Sequence, residues 1–208
     1  MEYCIMVDVN IKYDEYAAFP TMLYKFKPEL LSVDHMQMSM WIKKQEKENS
    51  DVVQTDSDLY KLSYFKPLSD VAKQVSAEIL QKLGYKYEKL EMTGMWGNFL
   101  KSGQTHPPHT HSNNVLSGVY YIESKKGASP IQFFDPRPAA HHMKPLNRPN
   151  WENAGMVQFD AEEGSGLIFP SWLQHWVPPT LTDRVSVSWN ILPRGVYGSM
   201  SEYQYAHI

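Results

Sequence analysis

Thr105-His106-Pro107-Pro108-His109-Thr110-His111 leads into the strand-like run Val115-Leu116-Ser117-Gly118-Val119-Tyr120-Tyr121-Ile122, and these two stretches decide how the chain is read. His109 and His111 are one residue apart. On a strand such residues point to one face, because side chains alternate with period two. A third imidazole comes from far along the chain, His175 in Gly166-Leu167-Ile168-Phe169-Pro170-Ser171-Trp172-Leu173-Gln174-His175. Brought in from a distant strand, it closes a facial set of three. That set leaves coordination positions open, as non-haem Fe(II) needs for oxygen and a cosubstrate. Beyond His175 comes Arg184-Val185-Ser186. Arg184 and Ser186 share a strand face and offer a fixed cation and a hydroxyl, a pair suited to gripping a carboxylate.

Outward from this centre, short apolar runs separated by Gly, Pro and Asn occupy residues 90–100, 115–122, 131–134, 156–159, 166–169 and 185–192. Strands at this spacing indicate an antiparallel barrel or sandwich. Residues 135–155 are rich in Pro, Asn and His, and a loop of that length in a compact domain is usually functional or disordered. It follows a site strand, so it is read as a substrate loop, with Asp135, Arg137, His141 and His142 as its candidate residues.

The first half reads as helices with short strands. Residues 19–26 form a strand entered through Pro20, and 28–47 a helix with the apolar stripe Leu31, Met38, Trp41 and Ile42. A second helix spans 69–83, with Ser69 as N-cap, Asp70 in the first turn, and Leu68, Val71, Val75, Ile79 and Leu83 as its buried face. Gly84 is its natural stop. The organisation is one domain over 1–208: a helical N-terminal region over residues 1–89, a barrel core over 90–192 and a tail over 193–208.

The length of 208 residues suits one domain with a core of ordinary size. A net charge of -3 gives no global basic footprint, so nucleic acid is not an expected partner. Cys4 is the only cysteine, so no intramolecular disulfide can form, which fits a reducing compartment. The N-terminus lacks a basic n-region, and no apolar run approaches the roughly 20 residues that span a bilayer. The expectation is a soluble cytoplasmic protein.

Taken together, Trp96-Gly97-Asn98, the His-x-His pair, Leu116-Ser117-Gly118-Val119-Tyr120-Tyr121-Ile122, Phe133-Phe134-Asp135-Pro136-Arg137, the segment from Phe169 to Pro179 and Arg184-Val185-Ser186-Val187-Ser188-Trp189-Asn190 resemble a family of 2-oxoglutarate/Fe(II)-dependent oxygenases of bacteria and phages. The resemblance covers roughly residues 19–192. It implies a mainly β (α+β) fold, a double-stranded β-helix of jelly-roll or cupin-like form with flanking helices. It also implies Fe(II) as metal and oxidative decarboxylation of 2-oxoglutarate to succinate, coupled to hydroxylation of a small molecule or peptide. It does not name that substrate or an oligomeric state.

One departure stands out. The wider superfamily carries His-x-Asp or His-x-Glu where this chain has His109-Thr110-His111. His111 is itself a ligand, or Asp135 supplies a carboxylate from a neighbouring strand, or water completes a two-histidine site. The spacing favours His109, His111 and His175, with Asp135 in reserve. Tyr120 and Asn190 are secondary cosubstrate contacts, and since Tyr120 and Tyr121 alternate, at most one faces the site. The bland reading assigns His35, His106 and His207 to surface or core, and Arg184 to a salt bridge with Asp183. Two rival functions remain. A cupin-type three-histidine enzyme without 2-oxoglutarate leaves Arg184-x-Ser186 unexplained and lacks the glutamate expected soon after His-x-His. A non-catalytic binding module has no need of three imidazoles and a buried arginine.

Overall fold

The computed structural model describes residues 14, 16–28, 34–48, 54–137 and 150–208. Two antiparallel sheets face each other. The first has five strands in the order β1 (Tyr24–Phe26), β7 (Gly166–Pro170), β4 (Leu116–Ser124), β9 (Arg184–Arg194) and β2 (Lys89–Leu100). The second has four, β3 (His106–His109), β8 (His175–Val177), β5 (Ile131–Phe134) and β6 (Met156–Phe159). Consecutive strands mostly lie in opposite sheets, so the chain winds around the sandwich. This is the double-stranded β-helix expected of the sequence. β10 (Val196–Tyr197) and β11 (Ala206–His207) pair in a small ribbon that organises the tail.

The five-stranded sheet is covered on both faces, which is why β4 is buried from Leu116 to Ile122. Its outer face carries α1 (His35–Glu48) and α2 (Lys66–Lys82), with Met38, Ile42, Leu68, Ala72, Val187 and Trp189 in one apolar cluster. Its inner face packs on the second sheet through Val119, Tyr121, Ile131, Phe133, Leu167 and Phe169. Two glycines permit the outer packing. A Cβ on Gly97 would lie 2.5 Å from Ile42, and one on Gly118 would lie 2.3 Å from the Trp189 ring. Neither position can carry a side chain without moving the layer above it.

Several boundaries differ from the sequence expectation. α1 starts at His35 with the Asp34 carboxylate accepting from the Gln37 N–H, so Met38, Trp41 and Ile42 face the core as expected, while Leu31 lies outside the described residues. α2 starts three residues earlier than expected, because Pro67 occupies its first turn. Ser69 is therefore not a cap. It is buried inside the helix and donates to the Met92 sulfur. The buried face turns with this shift to Leu68, Ser69, Ala72, Ser76, Ile79 and Leu80, leaving Val71 and Val75 at its flank and Leu83 exposed. Gly84 ends the helix at φ +78°, in agreement with the sequence. The strand expected over 19–26 is reduced to Tyr24–Phe26, since Phe19 sits at φ 59° with its side chain in solvent.

Candidate metal and cosubstrate site

β9 alternates strictly. Val185, Val187, Trp189 and Ile191 point to the helices, while Arg184, Ser186, Ser188 and Asn190 point between the sheets. The ladder with β2 sets Asn98 opposite Ser186 and Leu100 opposite Arg184. Across the gap, β3 and β8 pair His109 with His175. A cleft lies between these strands, lined by residues of both sheets. At its polar ends stand the histidines and Arg184 with Ser186.

His109, His111 and His175 each offer a ring nitrogen, and the three atoms lie within 4.8 Å of one another. The expected route to this grouping is corrected in one respect. β3 ends at His109, so His111 is not held by strand alternation. It stands beyond the ladder, with its backbone N–H donating to the Ser171 carbonyl. Trp96 stacks on its ring at 5.6 Å and 25°. Carbonyls fix the other two: His175 Nδ1 meets the Leu173 carbonyl at 2.9 Å, and His109 Nδ1 meets that of Pro107 at 2.7 Å. Both bonds require the proton on Nδ1 and leave Nε2 as the free electron pair, the tautomer a metal ligand needs. His111 Nε2 stands 3.3 Å from His175 Nε2.

Burial, reinforced by the neighbouring imidazoles, holds His175 down to about 3. Burial and His109 lower His111 to about 4, against an opposing contact from Asn190. Both rings are neutral at physiological pH and offer lone pairs without first losing a proton. Arg184 is 3% exposed, and burial lowers its pKa while Tyr121 opposes the shift. Its guanidinium lies 5.1 Å from the Tyr121 ring centroid, and its Nε and Nη1 have no partner among the described residues. The expected alternative, a salt bridge to Asp183, is absent, since that carboxylate accepts from the Ser102 N–H. Buried donors without acceptors cost free energy unless a ligand satisfies them.

The remaining candidates divide. Tyr120 is corrected. It lies on the outer face, with its hydroxyl 2.9 Å from His35 Nε2 and its ring over Phe26, while Tyr121 faces inward. Asn190 faces inward but accepts from Ser117 beside His111, away from Arg184. Asp135 stands apart from the histidine group. It grips Arg137 at 2.6 Å and lines a second cleft with Phe133, Trp151 and Leu173. His141 and His142 lie outside the described residues. Sequence reasoning missed Trp96, Asn98 and His106, all of which line the cleft. His106 escaped because a register irregularity between it and His109 puts both on one face despite their odd spacing.

Comparison with known proteins agrees with this arrangement. Residues 94–190 match the family model of the 2OG-Fe(II) oxygenases, a span holding both sheets' site strands and all three histidines. Among solved structures, a prolyl-4-hydroxylase of Pseudomonas putida is similar at TM-score 0.60 and 14% identity, covering 84% of this chain and 94% of that one. A prolyl hydroxylase of Trichoplax adhaerens, in complex with a hypoxia inducible factor peptide fragment, is similar at TM-score 0.57 and 13% identity over 82% and 83% of the two chains. HygX of Streptomyces hygroscopicus, with nickel and 2-oxoglutarate bound, is similar at TM-score 0.57 and 10% identity over 83% of each. No curated protein matches the sequence. Among the described residues, no helix is long and apolar enough to cross a membrane.

Proposed function

We propose that this chain, which matches the 2OG-Fe(II) oxygenase model over residues 94–190, is an oxygenase of that kind and hydroxylates a small molecule or peptide in the cytoplasm, with release of succinate and CO2. The observation that carries this reading is the coincidence in one cleft of three convergent imidazoles and a buried arginine whose Nε and Nη1 have no partner among the described residues. Three neutral nitrogen donors suit Fe(II), so His109, His111 and His175 would hold the metal. With Fe(II) bound there, dioxygen would be the oxidant: 2-oxoglutarate would give up two electrons on decarboxylation and the substrate two, one oxygen atom ending in succinate and the other in the hydroxylated product. The protein's own groups do the rest. Arg184 and Ser186 bind the far carboxylate of the cosubstrate, and planar guanidinium suits that task better than an ammonium. The Leu173 and Pro107 carbonyls hold the Nδ1 protons of His175 and His109. Phe169 and Phe133 pack against His175 and keep water from its inner side.

Anaerobic titration with Fe(II) and then 2-oxoglutarate should produce a visible charge-transfer band, followed by succinate release when a substrate is found. His175→Ala and His111→Ala should each lose metal while remaining folded. A wild-type protein that binds Fe(II) but gives no band and no heat with 2-oxoglutarate would leave the cupin-type alternative. Full metal occupancy in His111→Ala would hand its position to water.

A further inference from the structure

We infer that His106 is a cosubstrate-binding residue, donating from Nδ1 to the carboxylate that Arg184 holds, an assignment that rests on the oxygenase reading above. The evidence is a chain of hydrogen bonds that fixes which nitrogen of His106 carries the proton. Asn98 Nδ2 donates to the Ser188 hydroxyl at 3.0 Å. The Asn98 amide oxygen is therefore the end that meets Gln54, and Gln54 Nε2 donates to it at 3.1 Å. The same Gln54 nitrogen stands 2.9 Å from His106 Nε2. An amide NH2 has hydrogens and no lone pair to offer, so His106 Nε2 must accept. In the neutral ring the proton then sits on Nδ1.

That Nδ1 is enclosed and has no partner among the described residues. Arg184 Nε and Nη1 share this condition, and all three line one cleft. Three buried donors without an acceptor are costly in a resting fold. One carboxylate, with about four acceptor positions on two oxygens, satisfies them together. The surroundings support the position of His106. Its ring packs 4.6 Å from that of His109, so it adjoins the histidine cluster, and β3 sets its backbone opposite Val177, another residue of the cleft. Gln54 is held in turn by its neighbour Thr55, whose N–H donates to the Gly97 carbonyl while its hydroxyl accepts from the Gly97 N–H. Gln54 and Asn98 are thus positioning residues. They act by setting the His106 tautomer.

The test is 2-oxoglutarate affinity by calorimetry on full-length protein loaded with Mn(II), which is redox-stable. His106→Leu should weaken 2-oxoglutarate by roughly ten- to a hundredfold, the range for a lost hydrogen bond to a charged group. Mn(II) affinity should stay unchanged. His106→Asn should recover most of the loss, because its amide N–H falls near the place of Nδ1, whereas His106→Gln, which reaches the place of Nε2, should not. The Asn and Gln pair decides the matter if the Leu variant fails to fold. Equal 2-oxoglutarate affinity in wild type and His106→Leu overturns the inference alone, as does equal behaviour of Asn and Gln. Loss of Mn(II) in folded His106→Asn or His106→Leu overturns it by making the residue a member of the metal set. If wild type holds Mn(II) but takes up no 2-oxoglutarate, the oxygenase reading itself fails.

Discussion

The two faces of β9 are built from one run of residues and do opposite things. Outward, Val185, Val187, Trp189 and Ile191 have no exposed surface and join the helical core. Inward, Arg184 and Ser186 are almost equally buried, yet Arg184 Nε and Nη1 lack partners among the described residues. Burial by itself therefore does not separate scaffold from site. What separates them is the kind of group left open. On the outer face the orphan among these residues is the neutral Trp189 indole N–H, whereas on the inner face two N–H groups of a buried cation lack acceptors among the described residues, and a ligand carboxylate would supply them.

The sharpest way to break this comparison is to change Arg184. Arg184→Met should weaken 2-oxoglutarate by two to three decades or more, equivalent to about 3–5 kcal/mol, with Arg184→Lys recovering some of the loss. The same Met variant should melt at the wild-type temperature or above it, since a buried cation with two N–H groups unsatisfied among the described residues is replaced by apolar volume. Calorimetry and thermal denaturation together decide, and a destabilised Met variant with intact affinity would reverse the assignment of the inner face. Trp189→Ala is the counterpart on the outer face. It should lose about 3–5 kcal/mol of stability in denaturant titration, with the affinity of the folded fraction for 2-oxoglutarate unchanged.

Acid should probe the inner face without mutation. His175 at about 3 and His106 and His111 at about 4 bind fewer protons folded than unfolded, where the ordinary value is 6.5. Stability is then full above pH 6.5 and falls with decreasing pH down to about 4 for His106 and His111 and about 3 for His175, with a slope near 1.4 kcal/mol per pH unit for each proton taken up. Denaturant unfolding of chelator-treated protein at about pH 7.5, 6 and 5 checks the sign, and a flat profile would mean that these rings are hydrated. The smallest effect is expected of Ser186→Ala. Loss of one hydroxyl donor should cost about 1 kcal/mol in cosubstrate binding, close to fivefold, with no change in melting temperature.

Much of this arrangement is legible in the chain. The strands at 131–134 and 156–159 match their apolar runs residue for residue, because turn-forming residues bound them tightly. The alternation of β9 gives Arg184 and Ser186 one face without any tertiary knowledge. Alternation does not say which face is which, and for that reason the sequence offers Tyr120 as a site residue when it is not one. Its orientation is settled by Phe26 and His35, partners far away in sequence. His106 is hidden by an irregular ladder in a segment containing two prolines, where counting by twos fails. The start of α2 turns on Pro67, which outweighs Ser69 as a helix signal. β8, β10 and β11 are too short to carry a period of their own.

The unfinished guanidinium of Arg184 also has a consequence for the protein's lifetime. A cosubstrate that binds only the folded chain adds RT ln(1 + [L]/Kd) to its stability, about 2.7 kcal/mol at a hundredfold excess over Kd. When 2-oxoglutarate is scarce, mass action then enlarges the unfolded population that proteases consume. On the proposed reading, the abundance of this protein should therefore follow the supply of 2-oxoglutarate, so that nutrient state would set the quantity of protein as well as the occupancy of its site.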